Sequence, residues 1–143
     1  MIKSEKYFGV LLALLFIACN NNDFAENPEQ SIIGTWQLIE TLSDIGDGSG
    51  DWKSVMDGYT YTFDSNGGFT SNRFAECNRG AYFINTTDQH LTLDYSCIHF
   101  TQGIEQPPGT FVEQFTFETN DLILNPTYVF CVESCGWKFR KTN

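Results

Sequence analysis

The feature that most constrains the fold is an alternation of apolar and polar residues that recurs from about residue 32 to the C-terminus. "YTYTF" places Tyr59, Tyr61 and Phe63 on one face of an extended chain and two threonines on the other. "HLTLDY" and "FVEQFTFE" repeat the pattern. Because side chains alternate between the two faces of a β-strand, these segments are predicted to be strands with one buried face.

Turn residues join the predicted strands into hairpins. "DSNGG" (Asp64 to Gly68) follows the first strand pattern, and Asn and Gly tolerate the positive φ of a tight hairpin turn. Further pairs are predicted for "AYFIN" with "HLTLDY", "FVEQFTFE" with "LILN", and "TYVFCV" with "WKFRK". Two longer loops are expected at Leu42 to Gly58 and at Gly103 to Gly109, the second crossing between groups of strands.

A meander of many short antiparallel strands would expose its edges, and closure into a barrel removes them. We therefore predict an all-β fold over residues 32–143: a single antiparallel up-and-down barrel of about eight to ten strands. Aromatic residues make up 15% of the chain, so they either fill a small barrel or line an apolar cavity. The predicted inward-facing residues are Trp36, Leu38, Tyr59, Tyr61, Phe63, Leu91, Leu93, Tyr95, Phe115 and Phe117.

Residues 1–18 are predicted to be an export signal. Lys3 and Lys6 precede an apolar run of twelve residues, well short of the roughly 20 that a membrane-spanning helix needs. The run ends directly at Cys19, and "FIAC" resembles the lipobox of bacterial lipoproteins. That resemblance implies cleavage before Cys19 and lipidation of its thiol. The alternative is an ordinary secretory signal with a cysteine nearby.

Residues 19–31 are predicted to be the lipidated cysteine and a disordered tether, because they are polar and carry too little apolar surface to pack. The acidic residues here resemble the surface-export signals of Bacteroidetes lipoproteins. The resemblance implies an outer-membrane lipoprotein that faces the periplasm or the cell surface. The net charge of −10 argues against a nucleic-acid partner, whose phosphates require Lys and Arg.

Four cysteines remain once Cys19 is assigned to the anchor, and an even number in an exported protein predicts disulfides. Cys77, Cys97, Cys131 and Cys135 allow three connectivities. Their symmetry about predicted turns favours Cys77–Cys97 and Cys131–Cys135. A zinc site that combines these thiols with His99 is the rival, but "CVESC" has no second closely spaced cysteine pair. We expect no metal and no cofactor.

The chain offers little for catalysis, so we expect that it is not an enzyme. A calcium-binding loop that starts at Asp47 fails, because Trp52 and Gly58 stand where Gly and Glu are needed. Cys97 and His99 could be imagined as nucleophile and base, but a disulfide-bonded Cys97 cannot attack a substrate. The sequence contains no nucleophile elbow, phosphate-binding loop or HExxH motif.

"IIGTWQLIE" resembles the Gly-x-Trp opening of lipocalins, with Gly34 and Trp36 in the motif positions. The resemblance implies that Trp36 closes one end of the barrel against a basic residue of the last strand, "WKFRK": Arg140, with Lys138 as the lesser alternative. "YTFDSNGGFT" and "CVESCGWKFRK" are similar to segments of lipocalin-like lipoproteins of the Bacteroidetes type. A shorter stretch, "ECNRGAY", resembles META-domain lipoproteins.

Two functional hypotheses follow. The lipocalin resemblance implies a small hydrophobic ligand held by the inward residues named above, from Leu38 to Phe117. The alternative is a non-enzymatic structural or interaction module, similar to META domains, whose barrel is filled by its own side chains and whose protein partner is unknown. An empty internal cavity favours the first hypothesis, and a packed core favours the second.

Overall fold

The structure is a computed structural model that describes residues 32–44, 50–131 and 134–143. The predicted signal segment, Cys19 and the tether lie outside these residues, as do Asp47 and part of the "TYVFCV" segment. Within the described ranges there is no helix with the length and hydropathy needed to cross a membrane.

The described residues form one antiparallel sheet that closes on itself. Its strands follow each other around the barrel in chain order from β3 to β9, and β1 pairs with both β3 and β9. The predicted all-β up-and-down barrel is therefore confirmed. The strands are β1 (Gly34–Ser43), β2 (Trp52–Ser54), β3 (Thr60–Phe63), β4 (Gly68–Ser71), β5 (Arg79–Asn85), β6 (His90–Tyr95), β7 (Thr110–Glu118), β8 (Asp121–Pro126) and β9 (Cys135–Lys141).

Strands β2 and β3 occupy the same edge of β1, one after the other. β2 pairs with the C-terminal half of β1 and β3 with the N-terminal half. A turn at Met56 and Asp57 separates them, and Asp57 has a φ of 54°. Together they act as one interrupted strand, so the barrel is in effect eight-stranded. The predicted loop from Leu42 to Gly58 was therefore too long, because β1 extends to Ser43 and β2 lies inside it.

Three of the predicted hairpins are present, and one is not. The pairs β3–β4, β5–β6 and β7–β8 match the predictions. The segment "TYVFCV" was predicted to pair with "WKFRK", but residues 127–131 form no strand and β8 pairs with β9 instead. At the end of β8, the backbone N–H and the hydroxyl of Thr127 both bond to the carbonyl of Val112. The chain leaves the sheet there.

The two ends of the barrel differ in the lengths of their connections. At one end, here called the turn end, two-residue to four-residue turns join the hairpins, and β1 begins there. At the other, the loop end, the connections are longer: 44–51, 72–78, 96–109 and 127–134. The predicted crossing loop Gly103 to Gly109 is part of connection 96–109, which joins the neighbouring strands β6 and β7. It does not cross between groups of strands.

Connection 96–109 folds around a buried carboxylate. Glu105 has no exposed surface, and its two oxygens accept backbone hydrogen bonds from Gln102, Ile104 and Gly109 at 2.9 to 3.2 Å. Burial opposes ionisation, but hydrogen bonds from the Thr101 side chain and from the backbone of Gly109, Glu105 and Gln102 lower the pKa of Glu105 to about 2. Glu105 is therefore ionised at neutral pH.

The interior is dominated by aromatic rings in mutual contact. Eight of the ten predicted inward residues are buried, and the other two, Tyr59 and Phe117, pack against the core. Ring centroids lie 5.9 Å apart for Trp36 and Phe117, 5.0 Å for Phe63 and Tyr82, and 5.7 Å for Tyr61 and Phe63. These distances fit favourable aromatic pairs. The contact between Trp36 on β1 and Phe117 on β7 joins strands that are not neighbours, so the barrel is filled by side chains near the turn end.

At the turn end, the basic residue over Trp36 is Lys141. Its Nζ lies 5.3 Å from the indole centroid. Arg140 was predicted here, but it pairs with Asp121 on the outer surface, with its side chain 60% exposed. The cause is register: Trp36 lies opposite Lys141, and Arg140 lies opposite Gln37 and points to the other face. Lys138, the lesser alternative, binds Glu40 at 2.7 Å and lies over Trp52.

Gly34 closes the turn end with a backbone conformation that favours glycine. Its φ is 127°, and a Cβ atom would lie 2.5 Å from the carbonyl oxygen of Asn143 and 2.8 Å from Cε of Lys141. The neighbouring Trp36 donates its indole N–H to the carbonyl of Ile32 at 2.7 Å. The first and last strands therefore meet with no space for a side chain at residue 34.

The structure contains the disulfides Cys77–Cys97 and Cys131–Cys135, which is the connectivity favoured from the sequence. The first ties connection 72–78 to connection 96–109, and Cys77 is buried. The second ties connection 127–134 to the start of β9. Both disulfides therefore hold connections at the loop end.

Candidate functional site

The interior near the loop end contains a polar cluster among aromatic rings. Its centre is Arg73, which lies in connection 72–78 and extends its guanidinium inward until only 13% of the side chain remains exposed. The backbone N–H of Arg73 bonds to the Ser71 hydroxyl at 3.0 Å, which fixes the start of the connection just beyond β4. A buried arginine costs free energy unless its surroundings compensate its charge.

Four aromatic rings surround the Arg73 guanidinium. Its Cζ lies 4.8 Å from the ring centroid of Phe74, 5.1 Å from Trp137, 5.4 Å from Phe111 and 5.5 Å from Tyr59. All four distances are within cation–π range. Phe74 belongs to the same connection as Arg73, whereas the other three rings come from or adjoin the strands β3, β7 and β9.

Two tyrosine hydroxyls accept hydrogen bonds from the guanidinium. Nη1 of Arg73 donates to Tyr61 at 3.1 Å, and Nη2 donates to Tyr128 at 3.2 Å. Burial raises the pKa of both tyrosines, so both remain protonated at neutral pH. Tyr128 lies in connection 127–134 and stacks on Trp137 with ring centroids 6.5 Å apart. Two loop-end connections thus meet through Arg73 and Tyr128.

Glu113 on β7 completes the cluster. It is fully buried, and its Oε1 accepts a 2.7 Å hydrogen bond from the Tyr128 hydroxyl and lies 3.7 Å from Nη1 of Arg73. Its Oε2 is buried without a hydrogen-bond partner. Burial raises the pKa of Glu113 to about 7, and the Tyr128 hydrogen bond and the Arg73 charge only partly oppose it.

The hydroxyl of Tyr95, at the loop-end terminus of β6, is also buried and lies near the hydroxyls of Tyr61 and Ser71. Its ring is enclosed by Phe69, Phe74, Phe100 and Phe111, with centroids 5.0 to 5.5 Å away. Most buried polar atoms in native proteins are hydrogen-bonded. The unpartnered Oε2 of Glu113 makes this half of the barrel the candidate site.

The cluster combines groups of opposite charge with hydrogen-bonding hydroxyls. It contains one cation, one carboxylate of near-neutral pKa and two phenol hydroxyls, connected by hydrogen bonds from Arg73 to Tyr61 and Tyr128 and from Tyr128 to Glu113. Cys97, considered above as a nucleophile, is bonded to Cys77. In the three described ranges, no three side chains of His, Cys, Asp or Glu lie together in a way that could hold a metal ion.

The sequence analysis located part of this cluster. Tyr59 and Tyr61 were among the predicted ligand-lining residues, and both contact Arg73. Most of the other predicted lining residues belong to the packed core, whereas Tyr95 packs against Phe74, Phe100 and Phe111 at the loop end. Arg73 and Glu113 were missed. The position of Glu113 could have been predicted, because it is two and four residues before Phe115 and Phe117 in the same strand. The alternation therefore places its side chain inside the barrel with theirs.

Comparisons with known proteins bear on the fold. No protein-family model and no curated protein matches the chain. Among solved structures it is similar to a lipocalin-like protein from Bacteroides uniformis, with 16% identity and a TM-score of 0.51 over 78% of this chain and 98% of that one. It is also similar to a DUF4847 family protein from Bacteroides vulgatus, with 14% identity and a TM-score of 0.50 over 80% and 98% of the two chains. The predicted lipocalin-like fold is confirmed.

Proposed function

We propose that this protein is a non-enzymatic binding protein of the outer membrane, anchored through lipid on Cys19, that binds a small and largely apolar molecule at the loop end of its barrel. The observation that carries the proposal is the buried cluster around Arg73. Side chains of the long connections fill the barrel above the packed core, where they cover aromatic rings and a carboxylate that the strands supply.

The side chains that cover the loop end come from the connections rather than from the strands, which supports ligand entry at this end. Arg73 and Phe74 come from connection 72–78, Phe100 from connection 96–109, and Tyr128 from connection 127–134. Connections rearrange at lower free-energy cost than paired strands do, and binding residues are often placed on them. A ligand that displaced these side chains would reach aromatic walls without disturbing the sheet.

The experiment that tests binding uses the chain from residue 20 onward, produced in an oxidising compartment. We expect a stoichiometric apolar passenger in its native mass spectrum, or saturable binding of an apolar fluorescent probe after extraction with solvent. Trp137→Ala should weaken probe binding at least about tenfold, because the residue supplies a wall of the cluster. The matched control is Phe83→Ala on the exposed outer face, which should bind as the native chain does.

The anchor has its own test. The full chain expressed in a Gram-negative host should fractionate with the outer membrane and carry acyl mass on Cys19. Cys19→Ser should yield protein without acyl mass that is not retained in the membrane fraction. A native chain found free of membranes would overturn the anchor and leave the binding proposal to be judged by itself.

A second candidate is the interaction module with a filled barrel. The contacts among Trp36, Phe63, Tyr82 and Phe117 favour it, because they leave the strand-borne rings of the turn end packed against one another. A clean mass without passenger, together with failure of all apolar probes, would establish this candidate over the first. The search for function would then turn to a protein partner.

A further inference from the structure

Arg73 occupies a pocket whose walls and floor belong to other parts of the chain. Tyr59, Phe111 and Trp137 place their rings 5.1 to 5.5 Å from its Cζ, and Glu113 lies beneath with a buried carboxylate. Aromatic faces around a carboxylate are the groups with which proteins bind organic cations. The guanidinium of Arg73 therefore stands where a cationic ligand would stand.

The fit between Arg73 and the floor of this pocket is incomplete. Nη1 of Arg73 is 3.7 Å from Oε1 of Glu113, whereas a charge-assisted hydrogen bond between these groups spans about 2.7 to 2.9 Å. Oε2 of Glu113 has no partner at all. The donors of Arg73 that are seen to bond reach neutral tyrosine hydroxyls instead. A free cation, without a backbone that limits its position, can approach both carboxylate oxygens.

We propose that the pocket formed by Tyr59, Phe111, Trp137 and Glu113 is a binding site for a small organic cation of the guanidinium or primary-amine class, and that Arg73 is an internal occupant which the ligand displaces. This inference rests on the proposed function and names the ligand class: an apolar body that bears one cationic group. The apolar body would contact the rings, and the cationic group would bond to Glu113.

The charges of the chain and the surroundings of Arg73 favour this ligand class over an anion. The net charge of −10 attracts cations towards the protein and repels anions. A displaced Arg73 would enter water beside connection 72–78, where Asn72, Ala75 and Glu76 are exposed. A cation bonded to Glu113 would stabilise its ionised form, and a carboxyl with a pKa of about 7 changes to that form readily at neutral pH.

The first experiment replaces the side chain of Arg73 by a free molecule. In Arg73→Ala, N-ethylguanidinium supplies the atoms that the substitution removes, and N-ethylurea supplies the same shape without charge. We expect N-ethylguanidinium to raise the melting temperature of this variant and to bind about tenfold or more tightly than N-ethylurea. Adding Glu113→Gln to the variant should abolish the difference. Arg79→Ala, which truncates an exposed arginine, should show no effect of either compound.

The second experiment uses the native chain, because rescue of a truncated variant also occurs at a purely structural arginine. In a buffer without amines, 2-phenylethylguanidinium should bind the native chain, and 2-phenylethylurea and 3-phenylpropionate should not. Arg73→Ala should bind the cation about tenfold or more tightly than the native chain, because nothing has to be displaced. Rescue of the variant without binding to the native chain would make Arg73 a permanent plug and overturn the inference. Binding of the carboxylate instead would also overturn it.

A third comparison covers the case in which Arg73→Ala does not fold. Arg73→Lys keeps a cation, and Arg73→Met keeps an apolar chain of similar length. A cation site predicts that Arg73→Lys is the more stable of the two, and the reverse order contradicts it. If the native chain binds apolar probes but no cation, the ligand class is wrong and the proposed function stands. If it binds neither, both fail.

Discussion

At the scale of single residues, two buried acids change the stability of the fold in opposite directions as the pH rises. Glu105 is ionised and saturated with backbone hydrogen bonds, and its pKa is lowered to about 2. Glu113 is buried among rings with one oxygen unpartnered, and its pKa is raised to about 7. A lowered pKa stabilises the folded state above the unfolded pKa, whereas a raised one stabilises it below.

Glu105→Gln should lower the free energy of unfolding at pH 7 by about 2 kcal/mol, because hydrogen bonds to a charged acceptor are lost in a buried loop. The deficit should shrink as the pH falls from about 4.5 towards 2, where the native carboxylate is itself protonated. Urea unfolding at pH 7 and pH 3 measures both values. Glu118→Gln on the exposed surface serves as the control, and an equal loss there would contradict the assignment.

Glu113→Gln should make stability less dependent on pH between about 4.5 and 8. In the native chain the stabilising contribution of protonated Glu113 is present below pH 4.5 and is lost as the pH rises through about 7. The native chain should therefore lose about 1 kcal/mol between pH 6 and pH 8 relative to the variant. Urea unfolding midpoints of both chains across this pH range test the direction of this change. A native chain that gains stability relative to the variant would refute it.

Residue-scale predictions from the sequence depended on register. The resemblance to lipocalins indicated that a basic residue of the last strand covers Trp36, and one does. It is Lys141 rather than Arg140, because the pairing of β1 with β9 decides which residues of the last strand face inward. Arg73 has the parity of the buried residues Phe69 and Ser71, but it lies beyond the end of β4, where strand alternation no longer fixes the direction of a side chain.

At the scale of elements, hairpins with strong turn signals were predictable and the irregular connections were not. In "DSNGG", Oδ1 of Asp64 accepts the N–H groups of Asn66 and Gly68, and Gly67 has a φ of 81°, as such a turn requires. "TYVFCV" has the alternation of a strand, but Thr127 turns away from the sheet and Tyr128 bonds into the cluster. Tertiary contacts outweighed local propensity there.

The two disulfides should differ in how much they contribute to the free energy of unfolding. Cys77–Cys97 closes a separation of 20 residues and Cys131–Cys135 one of 4, so loop entropy predicts losses of about 3 and about 2 kcal/mol on their removal. Burial of Cys77 enlarges the difference. Thermal unfolding of two double variants, in which both cysteines of one disulfide are replaced by Ala, shows which disulfide contributes more. A larger loss for the Cys131–Cys135 pair would contradict the loop-entropy account.

At the scale of the whole molecule, closure brings residues that are distant in sequence into direct contact. Thr35 donates its N–H to the carbonyl of Asn143 at 3.1 Å, and Thr142 donates its N–H to the carbonyl of Thr35 at 2.8 Å. The barrel cannot close until β1 and β9 meet, and contacts between such distant residues slow folding. The sequence predicted closure from the need to remove strand edges, which is a property of the whole sheet.

The contact between first and last strands predicts that the chain tolerates circular permutation. A permutant that joins residue 143 to residue 32 through a short linker, and opens between Thr87 and Asp88, should fold with a melting temperature within about 10 °C of the native barrel. The new ends then lie in an exposed turn. A permutant opened between Phe139 and Arg140, inside β9, should fail to fold. Circular dichroism separates the two, and equal behaviour would show that β9 is dispensable.

The contact of Arg73 with Trp137 also gives the molecule an internal optical reporter. The chain has three tryptophans: Trp36 lies under Lys141 at the turn end, Trp52 lies beside Lys138, and Trp137 lies against Arg73. With Trp36 and Trp52 replaced by Phe, the remaining indole emission would depend on the position of a single guanidinium. Displacement of Arg73 would then appear as a change in fluorescence intensity and wavelength, without any attached dye.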